Sequence, residues 1–181
     1  EEDVPDADGY TLSTGQTLTV QQGSAEIKNG ALQPTINDGT RVIITFPLSA
    51  PHNDTWIKTQ LARNVGINRA VGFLFSFTDL QNYAFGSTHR VSSKFISNII
   101  QVSSGSESVL AEGDTIHTGG LHGATIFNRA HTDSNYGGNT YFGSSGSNAE
   151  SSEDLKSSTA GFVIDTGSGF SKIRGFATIT E

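Results

Sequence analysis

The chain has 181 residues, a formal net charge of -7, 34% hydrophobic and 16% charged residues, and no cysteine. That length suits one well-cored domain, and the acidic balance removes the electrostatic footprint of a nucleic-acid binder. The missing cysteine excludes disulfides, thiolate metal sites and cysteine nucleophiles.

Uncharged polar residues and 21 glycines fill the remainder, and 11 Phe, 4 Tyr and one Trp are spread among them. This is the profile of an ordered, turn-rich all-β chain rather than a disordered one. The longest apolar candidate, AVGFLFSF over 70–77, is eight residues, far short of the roughly 18 of a membrane span, so no membrane insertion is expected. No methionine is present, even at position 1, so the sequence reads as processed or as part of something longer.

In chain order, EEDVPDADG (1–9) reads as an acidic arm that orders only where something holds it. Asp6, Asp8 and Gly9 resemble part of a calcium loop that lacks its closing Glu, and a solvated acidic arm explains them equally. Residues 10–181 read as a single β-sandwich domain. GYTLSTGQTLTV carries a turn at Thr14-Gly15, and Asn29-Gly30 in SAEIKNGALQP is a type I′ hairpin signal. Val42, Ile44 and Phe46 share one face of a strand that Pro47 ends. NDTWIKTQLARNVG fits a short helix capped by Asp54 or, preferably, a strand. RAVGFLFSF reads as the clearest core strand, with Val71, Phe73, Phe75 and Phe77 on one face. KFISNIIQV, ESVLAEG, NTYFG, GFVIDTG and SKIRGFATIT add further strands. SSGSNAESSEDLKSSTA, near 143–160, reads as a long flexible surface loop. The fold class is therefore all-β, an antiparallel β-sandwich of jelly-roll or Ig-like type with long polar loops.

Chemistry concentrates in TIHTGGLHGATIFNRAHTD (115–133). A four-residue hairpin loop at 118–121 would make His117 and His122 cross-strand neighbours with Cβ atoms roughly 4.5 to 5.5 Å apart. With His131 and Asp133, or with a symmetry mate in a trimer, they form a set suited to a structural divalent metal ion such as Zn²⁺, Ni²⁺ or iron. The competing reading is that of solvated loop histidines.

A sugar site needs an aromatic platform ringed by hydrogen-bonding groups, and Trp56, Tyr136, Asn139 and Tyr141 supply those types, as does Tyr83. Their competing role is in the core or at its rim. No catalytic motif is present: there is no Gly-x-Ser-x-Gly, no His-Glu-x-x-His and no phosphate-cradling glycine loop. Paired carboxylates from distant strands are not readable from spacing.

The closing stretch AGFVIDTGSGFSKIRGFATITE resembles the strand-turn-strand endings of small β-sandwich proteins of bacteriophage and related virions. The resemblance implies a non-enzymatic structural or adhesion module, of capsid decoration, fibre or spike type, on a virion surface or extracellular appendage. It implies self-association, commonly as a trimer, contacts with other virion proteins, and in some cases binding of host surface glycans. A free lectin-like carbohydrate-binding domain is the first alternative and a glycan-active hydrolase the second. No cofactor beyond the metal ion is expected.

Overall fold

A computed structural model describes residues 3–48, 55–61, 70–91, 94–113, 116–117, 125–130, 136–142, 145–151, 157–167 and 173–180. All the regular elements among them are strands: β1 (Thr19–Gln22), β2 (Ala25–Lys28), β3 (Ala31–Pro34), β4 (Arg41–Pro47), β5 (Thr55–Leu61), β6 (Ala70–Asp79), β7 (Asn82–Val91) and β8 (Lys94–Ser103). They continue with β9 (Ser106–Glu112), β10 (Ile116–His117), β11 (Thr125–Ala130), β12 (Tyr136–Phe142), β13 (Ser145–Ser151), β14 (Thr159–Asp165) and β15 (Ile173–Thr180). No helix among the described residues is long and apolar enough to cross a membrane.

The strands form an antiparallel β-sandwich. One sheet has eight strands in the order β1-β4-β14-β6-β7-β8-β10, with β9 also on β8, and the other has seven in the order β13-β12-β11-β5-β15-β3-β2. The Asn29-Gly30 turn joins β2 to β3 with φ of 52° and 68°, the two positive values a type I′ hairpin demands.

The main core lies between the sheets, where Val42, Ile44 and Phe46 of β4 meet Phe162 and Ile164 of β14 and Val71, Phe73 and Phe75 of β6. Ile27, Leu32 and Ile173 close it from the seven-stranded sheet. Phe73 meets Phe162 edge-on with centroids 6.0 Å apart, a favourable quadrupole arrangement.

Phe77 departs from the expected alternation. A register shift between Leu74 and Ser76 moves it to the opposite face, where it packs on Tyr83. The second difference is β7, a strand that the sequence pattern did not announce. The third is β13: residues 145–151 pair with β12 along their whole length instead of forming a loop.

The acidic arm docks on β2. Val4 and Ile27 exchange backbone hydrogen bonds of 2.7 and 2.8 Å, the Ala7 amide donates to the Ala25 carbonyl at 2.9 Å, and Ala7 is fully buried. The carboxylates of Asp6 and Asp8 accept backbone N–H groups of Asp8 and Val20 at 3.0 and 2.8 Å, so they organise the arm itself.

Candidate functional site

Two sheet faces carry the candidate chemistry. The first is on the seven-stranded sheet. β5, β11, β12 and β13 pair without a register break, so positions directly opposite one another share a face. Trp56 stands in one row with Arg129, Gly137 and Glu150. Lys58, Phe127, Asn139 and Asn148 form the next row, followed by Gln60, Thr125, Tyr141 and Gly146. Leu61 pairs with Ile173, a core residue, which assigns Leu61, Thr59, Ile57 and Thr55 to the core face. Trp56, Asn139 and Tyr141 alternate with that set and occupy the outward face. Tyr136 pairs with Ala130, which pairs with Thr55, so it falls on the core face and is separated from the other three.

The second face is the far side of the eight-stranded sheet, which the alternation of β4 had not marked as apolar. Ile43, Leu74, Phe85 and Val163 are fully buried there, joined by Tyr83, Ile100 and Val102. Arg41 lies over the Phe85 ring, with its guanidinium carbon 5.0 Å from the centroid. Its Nε donates to Asp165 Oδ1 at 2.6 Å and Nη2 to Asp165 Oδ2 at 3.2 Å, a bidentate pair. Nη1 donates to the Tyr83 hydroxyl at 3.0 Å and also to Glu107 Oε1. Burial opposes the guanidinium charge, but the bonded Asp165 carboxylate and then Tyr83 outweigh it and raise the Arg41 pKa.

The contact between Arg41 and Glu107 reveals the shape of this sheet. β4 and β9 are separated by five strand steps through β14, β6, β7 and β8, about 24 Å along a flat sheet at roughly 4.8 Å per step. That span exceeds an arginine and a glutamate side chain laid end to end, so the sheet curls toward this face. Two glycines sit inside the curl. A Cβ at Gly72 would lie 1.9 Å from the Gly86 carbonyl oxygen, and one at Gly161 would lie 2.0 Å from that of Ile44.

Two polar groups stand on the same face beside Phe85 and Ile100. Ser87 and Asn98 are opposite one another in the β7–β8 ladder, only 2% and 7% exposed, and Ser87 Oγ and Asn98 Oδ1 lack hydrogen-bond partners among the described residues. Tyr83 is therefore a core residue, stacked on Phe85 at 5.9 Å. Arg41, Asp165 and Glu107 escaped the sequence reading. The available signal was opposite charge bounding two apolar runs, RVIITF and GFVID, which become antiparallel partners.

Of the anticipated metal ligands, His117 ends β10, where it pairs with Lys94 of β8. His122, His131 and Asp133 lie outside the described residues. Among the described residues no three His, Asp or Glu side chains are grouped to hold a metal ion.

No known protein family and no curated protein matches the chain. Solved structures share its fold. The carbohydrate binding module CBM66 from Bacillus subtilis superposes with a TM-score of 0.69 at 14% identity, over 94% of this chain and 100% of that one. The carbohydrate recognition domain of Emp47p gives a TM-score of 0.58 at 9% identity, over 98% and 94% of the two chains. A carbohydrate esterase from the Shiga toxin-encoding bacteriophage phi24B gives 0.55 at 11% identity, over 98% and 99%. At these identities the likeness defines the fold.

Proposed function

We propose that the chain is a non-catalytic, extracellular carbohydrate-binding domain that holds glycans on the outward face of the seven-stranded sheet. The observation that carries this reading is the register that brings Trp56, Asn139 and Tyr141 into three adjoining rows of one face. Aromatic surface matches the apolar C–H face of a sugar ring, and amide and charged groups beside it bond the hydroxyls. Gly137 and Gly146 stand in the same rows and add no side chain there. The fold supports the reading, since whole-length neighbours include a carbohydrate binding module and a carbohydrate recognition domain.

Glycan-array retention followed by titration calorimetry is the test. Trp56→Ala and Tyr141→Ala are each expected to weaken binding about tenfold, roughly 1.4 kcal/mol, while Tyr136→Phe leaves it unchanged. Equal retention of wild type and both alanine variants would remove this face from the site. Release of reducing ends would replace binding with hydrolysis as the activity.

The narrower placement on a virion rests on the resemblance at 160–181 and on the fold shared with the phage esterase. In that setting a trimer would convert weak single-site binding into avidity. Light scattering that returned only monomer mass would end that placement without touching the glycan reading.

A further inference from the structure

We infer that an open pocket at the end of β6, β7 and β8 is a second carbohydrate subsite, one that takes a single neutral sugar ring through hydrogen bonds alone. This inference rests on the glycan-binding reading above and places a further contact on the other sheet. The pocket has a volume of about 170 Å³ and lies where the inter-sheet core runs out. Ser76, Ala84 and Gln101 stand opposite one another in one row of the sheet, next to the row of Phe73, Gly86 and Ile99. Phe73, Ile99 and Ala84 belong to the main core, so both rows face the seven-stranded sheet. Beyond Ala84 the apolar residues stop. Ala84, 2% exposed, forms the floor, Ser76 and Gln101 are half-buried, and Thr78 and Ser103 at the mouth are exposed. That gradient opens the pocket to solvent.

The rim is held in place by bonds between two hairpin tips. Asn82 Nδ2 donates to both carboxylate oxygens of Asp79 at 3.0 and 3.2 Å, and the Ser104 amide donates to Asn82 Oδ1 at 3.2 Å. The Gly105 amide donates to the Gln81 carbonyl at 2.9 Å. The β6–β7 and β8–β9 turns are thus tied together, and a pocket formed beforehand lowers the ordering cost of binding.

The lining defines the ligand. The hydroxyls of Ser76, Thr78 and Ser103 each donate and accept, and the Gln101 amide adds an acceptor and two donor hydrogens. Among the described residues no partner takes up these four side chains. Adjoining sugar hydroxyls, which also donate and accept, complement them. Among the described residues no cationic side chain lines the pocket to neutralise an acidic sugar, and Asp79, bonded to Asn82 at the wall, repels one. No ring stacks on the ligand, because Tyr83 and Val102 border the pocket while their side chains pack on the far face of the sheet. At about 170 Å³ the space is smaller than the roughly 300 to 1,000 Å³ of ordinary ligand pockets, so it admits one ring rather than a run of them.

Amide NMR spectra report on this site residue by residue. Methyl glucoside, methyl galactoside, methyl mannoside, methyl glucuronide and glycerol are titrated into wild type, Trp56→Ala, Gln101→Leu and Thr78→Val. At least one neutral glycoside is expected to shift the Gln101 side-chain amide and the Ser76 and Ser103 backbone amides saturably. That binding should weaken about tenfold in Gln101→Leu, weaken in Thr78→Val, and persist in Trp56→Ala, while the glucuronide and glycerol give no saturable shift. If Gln101→Leu fails to fold, Thr78→Val, at an exposed position, carries the same test. Unchanged affinity in both pocket variants would overturn the inference, as would an equal response to glycerol or to the glucuronide. Loss of the shifts in Trp56→Ala would overturn it too, by assigning them to the first face. If no neutral glycoside shifts these residues while glycan arrays retain the wild type, the subsite fails and the general reading stands; no shift and no retention removes both.

Discussion

β4 and β14 at the centre of the eight-stranded sheet contrast with β12 and β13 at one end of the seven-stranded sheet. The central pair, RVIITFP on TAGFVID, is buried on both faces for almost its whole length. The outer pair, YGGNTYF on SGSNAES, has little apolar content, and its pairing is nonetheless continuous from Tyr136–Ser151 to Phe142–Ser145. A strand buried on both sides reads as a near-continuous apolar run, whereas a strand with one wet face has polar positions available for recognition. The first pair supplies stability; in our proposal the second supplies binding.

The contrast breaks most sharply under truncation. Phe162→Ala removes a fully buried ring that touches Phe46 and Phe73, and a loss of about 3 to 5 kcal/mol in urea unfolding is expected. Asn139→Ala on the outer pair should change stability by less than about 0.5 kcal/mol while weakening glycan retention. A large stability loss there would show the outer pair to be structural.

Next in size is Arg41→Ala. It leaves the largely buried Asp165 without its bidentate partner, and about 3 kcal/mol is expected from denaturant midpoints. A loss no larger than that of an exposed ion pair would show that the curl does not depend on this clasp.

The smallest effect is at Asp38. The Thr40 hydroxyl, the Thr40 amide and, more distantly, Thr166 bond its carboxylate and hold its pKa below the ordinary 3.8. A depressed carboxylate stabilises the fold above its unfolded value and loses that contribution as pH falls through the folded value. Wild type and Asp38→Asn should therefore differ in urea midpoint at about pH 5 and converge toward about pH 2. A midpoint difference that stays constant across that range would show that Asp38 ionisation does not stabilise the fold.

Much of the scaffold was legible. The two-residue period of Val42, Ile44 and Phe46 and the Asn29-Gly30 turn each encode their structure locally, through pleat and positive φ. The period of two singled out one face of β4 only, and the folded sheet shows Ile43 and Thr45 on the other face to be buried as well. Phe77 was misplaced because a bulge has no local marker in AVGFLFSF. β7 lacks clean alternation, and β13 lacks large apolar residues altogether; its strand state comes from the partner beside it. Within the candidate site, the residue types of Trp56, Asn139 and Tyr141 were legible, but the separation of Tyr136 needed the register. The link from Arg41 to Glu107 crosses five strand steps and has no signature along the chain.

The docked acidic arm gives the seven-stranded sheet two unequal ends. At β2 the chain's own residues 4 and 7 already occupy backbone groups that an incoming strand would seek, whereas among the described residues β13 pairs only with β12. Open ladders at both ends of a sheet permit end-to-end polymerisation, and stoppering one of them removes that route. Among the described residues β13 is then the end of this sheet that stays open. The arm thus acts as a cap on one end of the ladder, filling hydrogen-bonding positions beside Ile27 and Ala25.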